Sequence, residues 1–166
     1  MTPVCCFPPV ADEHARVLIL GSMPGIASLN AQQYYAHKRN AFWPIIGELI
    51  GVDPAAPYEL RIAALKAAGI ALWDVLARCN RRGSLDSAID AKSLTPNDFA
   101  EFFESHPHIT RVFFNGALAE KCYRDRVPDA QQLPCQRLPS TSPAHASLSF
   151  EQKLEAWRCA IAPLLD

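Results

Sequence analysis

The side chains of this sequence that could bind a ligand or do chemistry gather in a few short runs. Gly21-Ser22-Met23-Pro24-Gly25 sets Pro24 in a glycine-bracketed turn, where backbone N–H groups can face a ligand unobstructed. It lacks the G-x-G-x-x-G dinucleotide fingerprint, so taken alone it is also an ordinary strand-to-loop turn. Gln32-Gln33-Tyr34-Tyr35-Ala36-His37 places rings beside amides, a combination that stacks on a planar base or packs beneath a loop. Asn40 stands directly before Ala41-Phe42-Trp43, where an N-cap is expected. Asn115-Gly116 ends an apolar run, and Ser140-Thr141-Ser142-Pro143-Ala144-His145 offers hydroxyls and an imidazole on one turn.

Several chemistries are disfavoured by the same residues. There is no G-x-S-x-G elbow, and a serine and a histidine a few residues apart on one turn rarely reach triad geometry. The five histidines show no metal-ligand spacing. The six cysteines contain no C-x-x-C, and their apolar surroundings read as reduced core thiols. Asp74, inside Leu-Trp-Asp-Val-Leu, reads as a brace of the cleft rather than a reacting group.

The elements that must hold these runs alternate. Arg16–Leu20 is a continuous apolar run too short for a helix, hence a strand buried on both faces. Ser22–Arg39 reads as a polar stretch, followed by a helix from about 41 to 50, where Phe42, Ile45, Ile46 and Leu49 recur at helical spacing. A helix over Glu59–Ala68 ends at Gly69, and Ile70–Leu76 is the second buried strand. The connection from Ala77 to Lys92, which holds Arg81 and Arg82, reads as a functional loop. Thr95 and Pro96 suggest the cap and first position of a helix to Glu104 that buries Phe99, Phe102 and Phe103. Strand Arg111–Phe114, helix Ala117–Arg124, strand Gln136–Leu138 and an amphipathic helix Phe150–Leu165 complete the chain. This alternation predicts a three-layer α/β/α sandwich around a parallel sheet of about four strands. Its function then belongs at the carboxyl ends of the strands, where the glycine turn, Asn115 and the serine-rich turn converge.

Composition sets the outer limits. With 166 residues, 49% hydrophobic and 20% charged, the chain is expected to form a single domain over residues 1–166, with a core that needs neither disulfides nor metal. A formal charge of −1 means that any nucleic acid is held by a local basic patch, not by a global field. The first fifteen residues resemble neither a signal nor a transit peptide, and no run approaches the about 18 apolar residues of a membrane span. A cytoplasmic monomer is the resulting expectation.

Taken together, the segments 21–28 (GSMPGIAS), 34–43 (YYAHKRNAFW), 72–76 (LWDVL), 113–116 (FFNG) and 138–146 (LPSTSPAHA) resemble the uracil-DNA glycosylase superfamily. The first two are similar to the G-I-N-P-G and A-H-P-x-N-x-F-W motifs of its mismatch-specific uracil and thymine glycosylases. Within the superfamily, the chain looks most like the hypoxanthine-DNA glycosylase branch, with its G-S-x-P-G and L-P-S-T-S-P-A motifs. The resemblance implies an α/β/α fold and hydrolysis of the N-glycosidic bond of a deaminated base in double-stranded DNA. It implies no metal and no cofactor.

The resemblance also assigns roles. Where the mismatch-specific motif has a water-holding Asn, this chain has Met23, a thioether that neither activates nor orients water. The hypoxanthine branch gives that role to the Asn of N-x-F-W, which Asn40 matches, so Asn40 is the expected catalytic residue. Gly21, Ser22, Met23, Pro24 and Gly25 would line the base pocket with Tyr35 and Phe42. Tyr35 would stack on the base, and Asn115 would read its edge. Ser140, Thr141, Ser142, Pro143, Ala144 and His145 would contact DNA, and Lys38, Arg39, Arg81 and Arg82 form the expected basic patch. Lys38 replaces the usual Pro of A-H-P-x-N, and His145 replaces an expected Asn. Competing readings are a uracil or thymine glycosylase acting at mismatches with guanine, and a lesion-binding module that lost catalysis with the Met23 replacement.

Overall fold

A computed structural model describes residues 2–127 and 133–165. The chain opens with β1 (Thr2–Cys5) and β2 (Val17–Gly21), followed by α1 (Ile26–Ala31), α2 (Phe42–Ile50) and α3 (Tyr58–Ala67). Strands β3 (Ile70–Asp74), β4 (Leu76–Arg81) and β5 (Thr95–Pro96) lead to α4 (Phe99–Ser105) and β6 (Arg111–Asn115). Then come α5 (Ala117–Arg126), β7 (Cys135–Leu138) and α6 (Phe150–Ile161).

The central sheet has four strands in the order β3-β2-β6-β7, with all neighbours parallel. Its apolar runs exist because both faces are covered. Leu18, Leu20, Ala71, Trp73, Val112 and Phe114 point to a core shared with Phe99, Phe102 and Phe103 of α4 and Cys122 and Tyr123 of α5. Val17, Ile19, Ile70, Leu72 and Phe113 point the other way, to Phe42, Ile45 and Ile46 of α2, Leu65 of α3, and Trp157 and Ile161 of α6. Each such side chain contributes about 1.5–3 kcal/mol by leaving water. The expected three-layer sandwich is the fold.

Three local expectations are corrected. Residues 77–81, read as the start of a loop, instead form β4, the centre of a second, antiparallel sheet ordered β1-β4-β5. Thr95 and Pro96 form the edge strand of that sheet, a position that tolerates proline. The helix after it starts later, where the Asp98 carboxylate accepts the Glu101 N–H at 3.1 Å. The stretch 22–39 contains the short helix α1, whose N-terminus has no side-chain cap. The closing helix, by contrast, begins with a Ser149/Gln152 capping box.

Arg81 departs from the expected basic patch. Alternation along β4 turns it inward, to 1% exposure, while Arg82 faces solvent. Its guanidinium donates to the carbonyls of Gly83 and Pro24, tying the second sheet to the glycine turn. Arg81→Ala is expected to cost about 2–3 kcal/mol in urea denaturation, because buried acceptors lose a charged donor. An equal loss for Arg82→Ala would contradict this assignment.

Candidate functional site

The carboxyl ends of β2, β3 and β6 open into a cleft of about 680 Å³. Gly21, Ser22, Met23, Pro24, Gly25, Tyr35, Asn40 and Asn115 line it, together with Ser140 to His145 and Arg39. These predicted residues, scattered over more than a hundred positions, are brought together. Phe42 is fully buried behind the wall, where its ring stacks on Tyr35 at 4.1 Å between centroids. It supports the pocket without lining it. Lys38 and Arg82 are exposed and stand outside the lining.

The serine-rich turn is held from several sides. The Asn115 side chain pairs with Thr141 in both senses: its Nδ2 donates to Oγ1 at 2.9 Å, and its Oδ1 accepts the Thr141 N–H at 2.9 Å. Asn115 therefore fixes the turn, and this pairing leaves one N–H of Nδ2 and one lone pair of Oδ1 outside it. From α6, Lys153 Nζ donates to Ser142 O and Trp157 Nε1 to Pro139 O. The Ala41 N–H donates to Thr141 O at 2.9 Å, joining this turn to the segment that carries Asn40. Gly116 sits at φ 99, a left-handed conformation, with Ser140 Cβ 3.1 Å from where its own Cβ would be.

Asn40 is anchored at one end. Its Oδ1 accepts the Phe42 N–H at 2.9 Å, so it caps the first N–H of α2 from one position before the N-cap, which is Ala41 and not the expected Asn40. This orients the amide, because a donor turned toward that N–H would clash with it. Among the described residues its Nδ2 has no partner, and Oδ1 keeps a second lone pair. Capping and a role in the pocket are therefore compatible in one side chain.

Tyr35 holds a left-handed φ of 56, a strained conformation for a residue with a Cβ. Stacking on Phe42 holds it there. At the pocket floor Gly21 admits two polar groups that no other residue type would. A Cβ there would meet Asp74 Oδ1 at 2.6 Å and the Tyr35 hydroxyl at 2.8 Å. Gly21→Ala is expected to slow base release by about 10²-fold through displacement of these groups. Single-turnover rates unchanged within twofold would contradict that.

The floor is acidic: Asp74 lies at the cleft, as its reading as a brace expects, and Asp86 joins it unforeseen. Asp74, 3% exposed, lines the cleft, and its Oδ2 has no hydrogen-bond partner. Burial, then the facing Asp86 carboxylate, push its carboxyl up to about 7, against a smaller opposing pull from Arg81. Asp86 is exposed on the rim but turns its carboxylate inward to accept from Ser22 Oγ at 2.8 Å, and desolvation raises its pKa too. Burial likewise raises the Tyr35 phenol. The available signal was a charged residue inside an otherwise apolar, doubly covered strand. Among the described residues, no group of three or more His, Cys, Asp or Glu could hold a metal, and no helix is long and apolar enough to cross a membrane.

The parallel sheet with a cleft at its carboxyl edge, and the carboxamide and aromatic groups within it, define a class. The chain belongs to the uracil DNA glycosylase superfamily, whose model matches residues 8–163, and it is a DNA glycosylase. It is 41% identical over 111 residues to a protein of Methanosarcina barkeri named hypoxanthine DNA glycosylase, covering 66% of this chain and 69% of that one. A protein of the same name from Methanosarcina acetivorans is 40% identical over 114 residues, covering 68% and 71%. A solution NMR structure from Methanosarcina acetivorans, described as a candidate uracil DNA glycosylase, superposes with a TM-score of 0.80 at 34% identity. That superposition covers 98% of this chain and 99% of the other.

Proposed function

We propose that this protein removes hypoxanthine from double-stranded DNA by hydrolysing the N-glycosidic bond, leaving an abasic site, and that it acts as a monomer folded as one domain. The observation that carries the reading is the pair of carboxamides in the cleft. Asn115 gives one hydrogen bond from each end to holding Thr141, whereas the Asn40 Nδ2 has no partner among the described residues and its Oδ1 keeps a lone pair beyond the bond to Phe42. With Met23 in place of the water-holding Asn of mismatch-specific relatives, Asn40 is the group able to position the attacking water. The relatives named hypoxanthine DNA glycosylase support the choice of base.

In this mechanism the base is flipped into the cleft and stacks on Tyr35. Loss of the base leaves an oxocarbenium-like sugar that a weakly basic, well-placed water can capture. Backbone donors of the glycine turn stabilise charge on the departing base. Pro24 has no N–H and the Ile26 N–H is given to Ser84 Oγ at 2.7 Å, which narrows these donors to Ser22, Met23 and Gly25. Ser140 and Ser142 contact phosphates, Pro143 and Ala144 enter the space the base leaves, and Lys38, Arg39, Arg82 and His145 add rim contacts to the backbone.

Single-turnover release from otherwise identical duplexes carrying one hypoxanthine or one uracil tests the substrate. Faster release of hypoxanthine is expected. Faster release of uracil would overturn the choice of base, and duplex binding without release of either would overturn the enzymatic reading.

A further inference from the structure

The mechanism above leaves the acidic floor unused. Two carboxylates, that of Asp74 on the floor and that of Asp86 turned inward from the rim, lie within electrostatic reach of one guanidinium, Arg81. With all three ionised the group carries one net negative charge away from bulk water. It is neutral when one carboxyl keeps its proton, and Asp74 is the deeper of the two. No described group donates a hydrogen bond to the buried Asp74 Oδ2, a donor that a buried carboxylate would require, so the neutral carboxyl is the better fit to this site.

We propose that Asp74 is the general acid of the reaction, giving its carboxyl proton to N7 of the flipped hypoxanthine as the C1′–N9 bond breaks. This rests on the hypoxanthine reading. The electron pair of the broken bond goes to the base, and the proton on N7 makes it a neutral leaving group. Water held by Asn40 bonds to C1′ through its oxygen, and the proton that water loses returns, through solvent, to the Asp74 carboxylate. N7 is the most basic ring nitrogen of an N9-linked hypoxanthine, and uracil has no equivalent. An acid at this place therefore favours purine release without any contact that excludes a pyrimidine.

The carboxyl's position near pH 7 suits an acid working close to neutrality. The titratable and charged groups whose fields reach it are Asp86, Arg81, Tyr34, Tyr35 and Cys6, with His37, Arg39 and His145 lining the same cleft. The two imidazoles are the alternative source of a pH response, so their replacement serves as the control.

The test measures single-turnover release across pH from duplexes containing hypoxanthine, 7-deazahypoxanthine or uracil. For wild type, hypoxanthine release is expected to fall about tenfold per pH unit above about pH 7. Asp74→Asn is expected to lower the rate below pH 7 by about 10²-fold and to flatten the profile, while His37→Gln and His145→Gln keep it. On 7-deazahypoxanthine, which cannot accept the proton, Asp74→Asn should change the rate less than about threefold. Thermal unfolding and hypoxanthine-duplex binding establish that the isosteric variant is folded. An unchanged profile in Asp74→Asn, or equal losses on both purines, overturns the acid role while the substrate reading stands. Release of uracil but not hypoxanthine overturns the substrate reading itself.

Discussion

Asn40→Ala lowers the single-turnover rate of base release by about 10²–10³-fold while leaving duplex binding within a few-fold. The asymmetry follows from where the residue acts. It touches the attacking water, which matters in the transition state, whereas the DNA is held by the rim and the serine-rich turn. The substitution also removes the hydrogen bond to the Phe42 N–H, at a cost of about 1 kcal/mol in stability. Asn40→Asp separates the two effects: it keeps an acceptor for Phe42 and an acceptor for water, so stability and part of the activity should survive. Asn40→Ala losing activity only in proportion to its loss of stability, with Asn40→Asp restoring both in full, would assign Asn40 to capping alone.

Asp74→Asn makes the protein more stable in alkaline solution, and the gain shrinks in acid. The carboxyl sits near 7 in the fold and near 3.9 in an unfolded chain. The native state therefore retains a proton that the unfolded state has lost between these values, and stability falls as pH rises through that window. The cost reaches an upper bound of about 4 kcal/mol above the folded value. The variant cannot ionise and escapes it. Thermal unfolding at about pH 5 and about pH 9 should show the difference between wild type and variant widening at the higher pH. A constant difference would mean that Asp74 is ionised throughout.

The parts of the molecule that could be read in sequence are those governed by strong local periodicity. Val17–Gly21, Ile70–Asp74 and Arg111–Asn115 are apolar on successive residues because helices cover both faces of their sheet, and their shortness between turn residues marks them as strands. The second sheet leaves a fainter one. In β4, Leu-Ala-Arg-Cys-Asn-Arg carries two arginines and an asparagine, and its partner β1 lies some seventy positions away. Pairing with remote backbone, not composition, makes it a strand. That is also why Arg81 was assigned to the surface with Arg82: adjacent residues of a loop share an environment, whereas adjacent residues of a strand face opposite ways.

The candidate site was legible in the same uneven way. Motif resemblance located Tyr35, Asn40 and the two turns, and the fold gathers them at one cleft. It could not assign their hydrogen bonds. Asn115 turns out to brace Thr141, Phe42 stands behind Tyr35, and Asp74 joins the pocket floor. The first and the last of these depend on the meeting of segments far apart in the chain, and the second on the local path of the loop before α2.

The most direct test of the account is to identify the product. Wild-type protein incubated with a duplex holding a single hypoxanthine should liberate free hypoxanthine, measured by mass spectrometry, in one-to-one proportion with alkali-labile abasic sites, and Asn40→Ala should form both about 10²–10³-fold more slowly. Strand breaks without free base, or intact duplex that is bound and never hydrolysed, would contradict it.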